Sequence, residues 1–429
     1  MITIGLLLGL TAIASGPERE PEREPGSEPI VNLLDEAAVE EESQDVWEAI
    51  ANGRTWLNFR YRMEGVEQDG KAENAYASTL RTTLGYETGV FRGFSAFLEF
   101  EDVAGIGAHN FNDTINGKGD HPVVADPDGS ELNQAYLTYS GSSEGKVRLG
   151  RQEIVLGNHR FVGNVGWRQN HQSFDALRVT SNNDWPVEFD YAAVTNVNRI
   201  FGDGNPMGDE RGAMHFLNVG HDWENVGELT GYAYLLDFDT NLSAMSTNTF
   251  GVSFAGATDV ADGTNVSYRA EFATQSDAPS NGADIDAGYY HAMVGVKNSG
   301  VQVLLGNESL GGSGDAGDKF STPLATLHRH NGFADMFLNT PDTGLDDLYF
   351  TVSGAVEVGS LPEEVKLRAT YHMFESDSDS IDYGTEIDFD ASVAVNSHIT
   401  TGIRFADFSA DDAFSDTRKV MFWLSLSPL

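Results

Sequence analysis

The sequence predicts an all-β protein: a transmembrane antiparallel up-and-down β-barrel of about eighteen strands, preceded by a disordered acidic N-terminal linker. Three observations predict it. After Trp56, polar and apolar residues alternate with a period of two through most of the chain. The alternating segments run about ten residues, the length a tilted strand needs to cross the hydrocarbon layer. Gly (46 residues), Phe (25) and Tyr (14) are plentiful and Cys is absent, which suits short aromatic strands joined by Gly-rich turns.

The N-terminal elements come first. Met1 to Ser15 reads as an apolar stretch ending in Ala12-Ile13-Ala14, like the h-region and cleavage site of a signal peptide, although no Lys or Arg precedes it. Residues 16–46 form a linker in which Pro17-Glu18-Arg19-Glu20 is repeated as Pro21-Glu22-Arg23-Glu24 and an acidic run follows. Proline and like charges keep such a segment extended and solvated. A short helix is expected around Asp45 to Asn52, with Val46, Trp47 and Ile50 on one face. The barrel domain then occupies 47–429. Beyond residue 16 no apolar run approaches the roughly 20 residues of a membrane-spanning helix.

The strands are expected at 55–65, 77–88, 92–102, 131–140, 145–152, 172–181, 186–195, 211–221, 227–237, 247–256, 264–274, 287–297, 300–308, 347–358, 364–374, 384–395, 398–407 and 419–427. In 57–64 the series Leu57, Phe59, Tyr61, Met63 opposes Asn58, Arg60, Arg62, Glu64. The same pattern returns at 266–272, 365–374 and 386–393, so each segment has one oily and one charged face. Aromatic residues near segment ends (Trp56, Tyr86, Trp185, Trp223, Tyr289, Phe350 and Trp423) fit interfacial girdles. Connections alternate between tight turns and long segments at 103–130, 153–171, 196–210 and 309–346, the asymmetry of short periplasmic turns and long outer loops. A soluble sandwich would show similar alternation with its polar face outward.

Acids outnumber bases 66 to 26, a formal net charge of −40. That excludes nucleic acid as a partner, since phosphate binding needs a basic surface. Inside the barrel the balance differs. A midplane Arg facing lipid costs about 2–4 kcal/mol, so the polar parity must face inward. This places Arg60, Arg62, Arg81, Arg148, Arg178, Arg269, Arg368 and Arg404, with Lys146 and Lys366, on the pore wall. Glu64, Glu99, Glu101, Glu188, Asp190, Glu271, Glu386, Asp388 and Asp390 share it. Two readings stay open: an arginine track guiding an anionic solute, and an ion-pair ladder that satisfies a wide interior.

The segment from Leu149-Gly150-Arg151-Gln152 through Trp167-Arg168 to Phe174-Asp175-Ala176 is the most distinctive in the chain. It resembles the alginate-export family of outer-membrane proteins, in which a Gly-Arg-Gln strand end leads through an Arg- and Trp-bearing loop into a Phe-Asp-Ala strand. Glu131-Leu132-Asn133-Gln134-Ala135-Tyr136-Leu137 and the region from Arg60-Tyr61-Arg62 to Leu80-Arg81-Thr82 also resemble it. The resemblance covers about 55–180 and implies a porin-like barrel whose founding activity is outward passage of an anionic uronate polysaccharide. It also implies Arg151, Arg160 and Arg168 as constriction residues, with Gly150, Gly157, Gly163 and Gly166 letting the loop bend inward. The plainer alternative has these arginines folding the loop by pairing with Glu153 or Asp175. One departure is the C-terminus, Pro428-Leu429, where such barrels usually end in an aromatic residue.

Other chemistry finds little support. His159 and His171 share a loop but match no zinc spacing. Asp120, Asp126, Asp128 and Glu131 could be bridged by calcium, though a solvated loop is the plainer reading. Asn170-His171-Gln172-Ser173 is the one juxtaposition suggestive of a hydrolase. The expectation is therefore a passive, non-enzymatic porin-like channel in the Gram-negative outer membrane for hydrophilic solutes, uronates or other acidic glycans among them. Its partners are outer-membrane lipid, the solute and the barrel-assembly machinery, and no cofactor is expected. The alternatives are a general cation-leaning porin, a plugged structural or adhesive barrel, and an outer-membrane hydrolase. Loops 153–171 and 309–346, the latter with Gly311-Gly312 and His328-Arg329-His330, are the candidate constrictions.

Overall fold

The period-two pattern folds as eighteen strands in the computed structural model, which describes residues 42–428 apart from 143–144, 182–184, 203, 360 and 362. The expected signal peptide at 1–15 and the linker up to residue 41 lie outside the described residues. The strands are β1 (Arg54–Gln68), β2 (Ala75–Glu87), β3 (Phe94–Asn110), β4 (Gly129–Ser142), β5 (Gly145–Gln152) and β6 (Ser173–Ser181). There follow β7 (Glu188–Asn198), β8 (Asp209–Trp223), β9 (Gly227–Phe238), β10 (Thr247–Ala261), β11 (Thr264–Asp277) and β12 (Asp286–Asn298). The last six are β13 (Val301–Leu310), β14 (Leu345–Val356), β15 (Val365–Glu375), β16 (Asp382–Asn396), β17 (Ile399–Ala410) and β18 (Thr417–Leu426).

Each strand pairs antiparallel with its neighbours in the chain, and β1 pairs with β18 from Phe59↔Leu426 to Gln68↔Thr417. The sheet therefore closes and leaves no edge. Most strands lie within a few residues of their expected bounds. The largest extension is β3, which continues to Asn110 through Gly105 and Gly107, where alternation gives nothing to read.

The two ends of the barrel differ. One carries tight turns at 262–263, 299–300 and 397–398; the other carries the loops 111–128, 153–172, 199–208 and 311–344. The helix α1 (Val46–Ala51) lies at the tight-turn end. Its N-cap, Asp45, accepts from the Trp47 and Glu48 amides. Ala49 O accepts from Gly89 N (2.8 Å), tying the helix to the turn after β2. Contrary to the expected face, Val46, Trp47 and Ile50 are exposed and Ala49 is buried.

The outward parity carries Met63, Leu84, Leu149, Phe272, Leu305, Phe350, Ile387 and Val420, all exposed on the wall. Trp185, Trp223 and Phe350 are exposed, as a girdle requires. Four expected girdle residues are not. Tyr86 is half-buried, with its hydroxyl donating to Ile50 O. Trp56 turns inward to Phe97 (4.8 Å between centroids) and donates to Glu99, and Tyr289 and Trp423 are buried inside. Where both parities are apolar, as in Val420-Met421-Phe422-Trp423-Leu424, alternation cannot say which face is which.

Candidate functional site: the lumen and its two infolded loops

Inward side chains on β1 are polar because the outward series is apolar, yet they are not open to water. Asn58, Arg60, Arg62, Glu64 and Val66 are all buried. Loops 153–172 and 311–344 fill that space. Gly163 N donates to Leu324 O (2.9 Å) and Thr326 N to His159 O (3.0 Å), so the loops join through their backbones. A Cβ on Gly163 would collide with Thr326, Gly157 has φ +55, and Gly150 has φ +131 against the Ala135 carbonyl, so three of the four expected glycines are required by a turn or a close approach. Val165, a β-branched residue at φ +54, sets up the turn into Gly166-Trp167.

Trp167 is the centre of this plug and is fully buried. The guanidiniums of Arg404, Arg62 and Arg60 lie 4.2, 5.1 and 5.2 Å from its ring centroid. His328 of the second loop stacks on it at 4.6 Å and 14°. Arg60 Nη1 donates to Gly166 O (2.9 Å) and Trp167 O (3.0 Å). Phe333, at the tip of loop 311–344, lies under Arg404 (4.5 Å) and Arg368 (5.4 Å). Its amide donates to Asp388, and that of Ala334 to Glu386.

The wall arginines stand among acids. Arg62 is held by Asp126 and Glu64, Arg404 by Asp390 (2.8 Å), and Arg269 by Glu271. Arg81 meets His171 Nε2 (2.7 Å) with Glu101 beyond. Toward the tight-turn end, Arg178 pairs with Asp190 (2.9 Å) and Arg148 lies over Tyr136. The loop arginines tie the plug to the wall and to itself. Arg160 donates to Glu308 (2.8 Å) on β13 and Asn331 (3.1 Å). Arg168 donates to Asp335 (2.9 Å) and reaches Glu64 on β1.

Arg151 is a correction. Its register partners are Ala135 and Asp175, and it shares the outward parity of Leu149. It pairs with Asp175 (2.8 Å) near the long-loop end, away from the lumen. Of the three loop arginines it alone takes a partner that the plainer reading named. Asp126, one of the proposed calcium ligands, is spent on Arg62 and the Gln169 amide. Among the described residues no group of three His, Cys, Asp or Glu side chains is placed to hold a metal. Asp335, His328 and Lys419 belong to the plug network. His328 and Asp335 both lie in the candidate loop 309–346, but neither Asp335 nor Lys419 carries a local signal of its own.

A wall of different character faces the arginines. Phe161 packs against Tyr232, Tyr234, Tyr289 and Phe320 at 5.3–5.9 Å. Tyr232 donates to Glu271 (2.8 Å) and Tyr289 to Glu308 (2.7 Å), so their hydroxyls stay satisfied inside the core.

Comparisons with known proteins agree with this architecture. The family described as alginate export matches residues 55–302. The fold is similar to OccAB2 of Acinetobacter baumannii (15% identity, TM-score 0.65, 89% of this chain and 100% of that one). It is similar as well to OccK9 of Pseudomonas aeruginosa (13%, 0.67, 88% and 99%). OpdK of the same organism, solved with vanillate, matches at 9% identity with a TM-score of 0.67, over 88% and 99% of the two chains. No curated protein matches the sequence.

Proposed function

Since this chain belongs to the alginate-export family and is an outer-membrane β-barrel of porin type, we propose that it passes hydrophilic, carboxylate-bearing solutes through a lumen narrowed by loops 153–172 and 311–344. The observation that carries the reading is the convergence of Arg60, Arg62 and Arg404 on Trp167 at the plug's centre. Arginine forks bind carboxylates, and a solute passing this point meets three of them. Uronates and other acidic glycans have the required chemistry. OpdK, solved with vanillate, is similar in fold only and lends no ligand to this chain.

The long loops face the exterior and the tight turns the periplasm. Passage would be diffusive, steered by the inward charges and narrowed by the two loops. His171, the residue a hydrolase would need, lies among Arg81, Glu101 and Glu153. Delivery to the membrane would use the barrel-assembly machinery, through the β18 end of the chain.

A plugged structural barrel is the second reading, and one observation favours it: the inward residues of β1 from Asn58 to Val66 are all buried. Single-channel recording in a planar bilayer, with a salt gradient and then uronate oligomers, separates the two. Anion-preferring steps that the oligomers block support the channel. Steps indifferent to uronate and cation-selective overturn the solute class, and a folded barrel without steps overturns the channel.

A further inference from the structure

Asp335 sits in a receptor built largely by other parts of the chain. Its Oδ2 accepts from Arg168 Nη2 (2.9 Å) of loop 153–172 and from Lys419 Nζ (2.6 Å) of β18. Its Oδ1 accepts from His328 Nδ1 (2.7 Å) of its own loop. All four side chains are buried, with exposures of 3–7%. Burial works against the charge on Asp335, but His328, Lys419 and Arg168 together hold its carboxyl well below the usual range. Burial also pushes His328 down to about 4, so the ring is a neutral donor rather than a third cation.

The surrounding charges close on themselves. Arg62, Arg168 and Lys419 meet Glu64, Asp126 and Asp335. Take Asp335 away and two acids face three buried bases. An uncompensated buried charge is costly, so the vacated place calls for another anion. Two donors and a hydrogen-bonding ring, converging on two oxygens, match a carboxylate. The tip that carries Asp335 is irregular: Asn331, Gly332 and Asp335 all have positive φ.

We propose that this is a carboxylate-binding site of the lumen, filled in the closed form by the chain's own Asp335 and taken by a solute carboxylate when the tip of loop 311–344 lifts. The inference rests on the channel reading and adds to it a docking point and a self-ligand. A solute that binds only the lifted form shifts the population toward it, and this makes entry and unplugging one event. Lifting also releases the Phe333 and Ala334 amides from Asp388 and Glu386, so the site opens only where the ligand offsets those losses.

Two measurements on the refolded full-length protein test it. The first is limited trypsin cleavage at Lys319 and Arg329 of the native protein, in acetate and in chloride of equal ionic strength. Acetate should speed cleavage about threefold, as a ligand selecting the lifted loop would; equal rates overturn the site. The second is conductance of D335N, whose amide no longer satisfies Arg168 and Lys419. D335N should conduct in larger steps than the native barrel and lose the acetate response, and native-like steps with a native-like response overturn the self-ligand. Native channels blocked by uronate, together with negative results in both tests, sink this inference alone. Native barrels without conductance sink the channel reading, while acetate-dependent cleavage still reports on the site.

Discussion

Arg404 and Trp167 form the closest cation–ring contact in the plug, with the guanidinium carbon 4.2 Å from the ring centroid. Arg404 comes from the wall and Trp167 from a loop, and Phe333 of the other loop lies 4.5 Å from the same guanidinium. One arginine thus holds two loop tips.

Trp167→Ala should loosen both loops at once. The lost ring contacts and the cavity left behind cost about 3–5 kcal/mol of plug stability, while the strands keep their ladder. Single-channel steps should grow several-fold and the gel shift of the folded barrel should persist. Trp167→Phe, which keeps a ring under Arg404, should fall between the two. Unchanged steps in the alanine variant would remove Trp167 from the constriction.

Arg160→Ala should be among the more destabilising changes in the loops. It leaves Glu308 buried opposite Tyr289 and Asn331 with no cation, a loss of about 3–5 kcal/mol. Arg160→Ala combined with Glu308→Ala should recover much of it, because neither charge is then stranded. Thermal unfolding in detergent micelles gives the three values needed, and additive losses would show that the two residues do not interact.

Acidification should weaken the plug at His328. The folded ring is held down to about 4 by burial, although Asp335 opposes this, against about 6.5 in an unfolded chain. The folded form therefore binds the proton less readily. The contribution of the neutral ring is complete above about pH 6.5 and is lost progressively as pH falls toward 4. Protonation would also put an N–H at Nε2, which is buried with no hydrogen-bond partner. Loop cleavage rates measured from pH 7.5 to 4.5 should rise on the acid side, and His328→Phe should flatten the profile. An equally steep profile in that variant would place the sensor elsewhere.

Arg178→Ala makes a useful contrast. Its pair with Asp190 lies toward the tight-turn end with side chains 15% and 20% exposed, more open to water than Arg160 and Glu308, so its loss should cost less than that of Arg160. Asp190 then stands unmatched in the inner vestibule. The reversal potential in a salt gradient should move toward cations, with a smaller drop in unfolding temperature than in Arg160→Ala. A shift toward anions would mean that Asp190 does not face the conducting path.

The alternation in segments such as 57–64 determines strand, face and register together, because a strand with one charged parity has a single tolerable orientation in lipid. That is why Arg60, Arg62 and Arg404 could be placed inside from sequence. The plug is another matter. Loop 311–344 has no period, and the partners of Asp335 come from positions 168, 328 and 419, which only the closed barrel brings together. Arg151 shows a subtler limit. Its motif resembles a constriction loop, but it precedes the loop by one residue too many and still belongs to the outward parity of β5.

Closure by β1 and β18 has a consequence for how the molecule is assembled. The seam joins residues at opposite ends of the chain, such as Phe59 and Leu426, and contacts of such long sequence separation form slowly. The two loops straddle that same seam: Arg168 reaches Glu64 on one side of it, and Asp335 holds Lys419 on the other. Neither loop can complete its grip until the last strand has arrived. Once in place they act as a rivet across the joint. A nascent barrel is accordingly empty and unlatched, and the finished one is fastened from within at the place where it would otherwise come apart first.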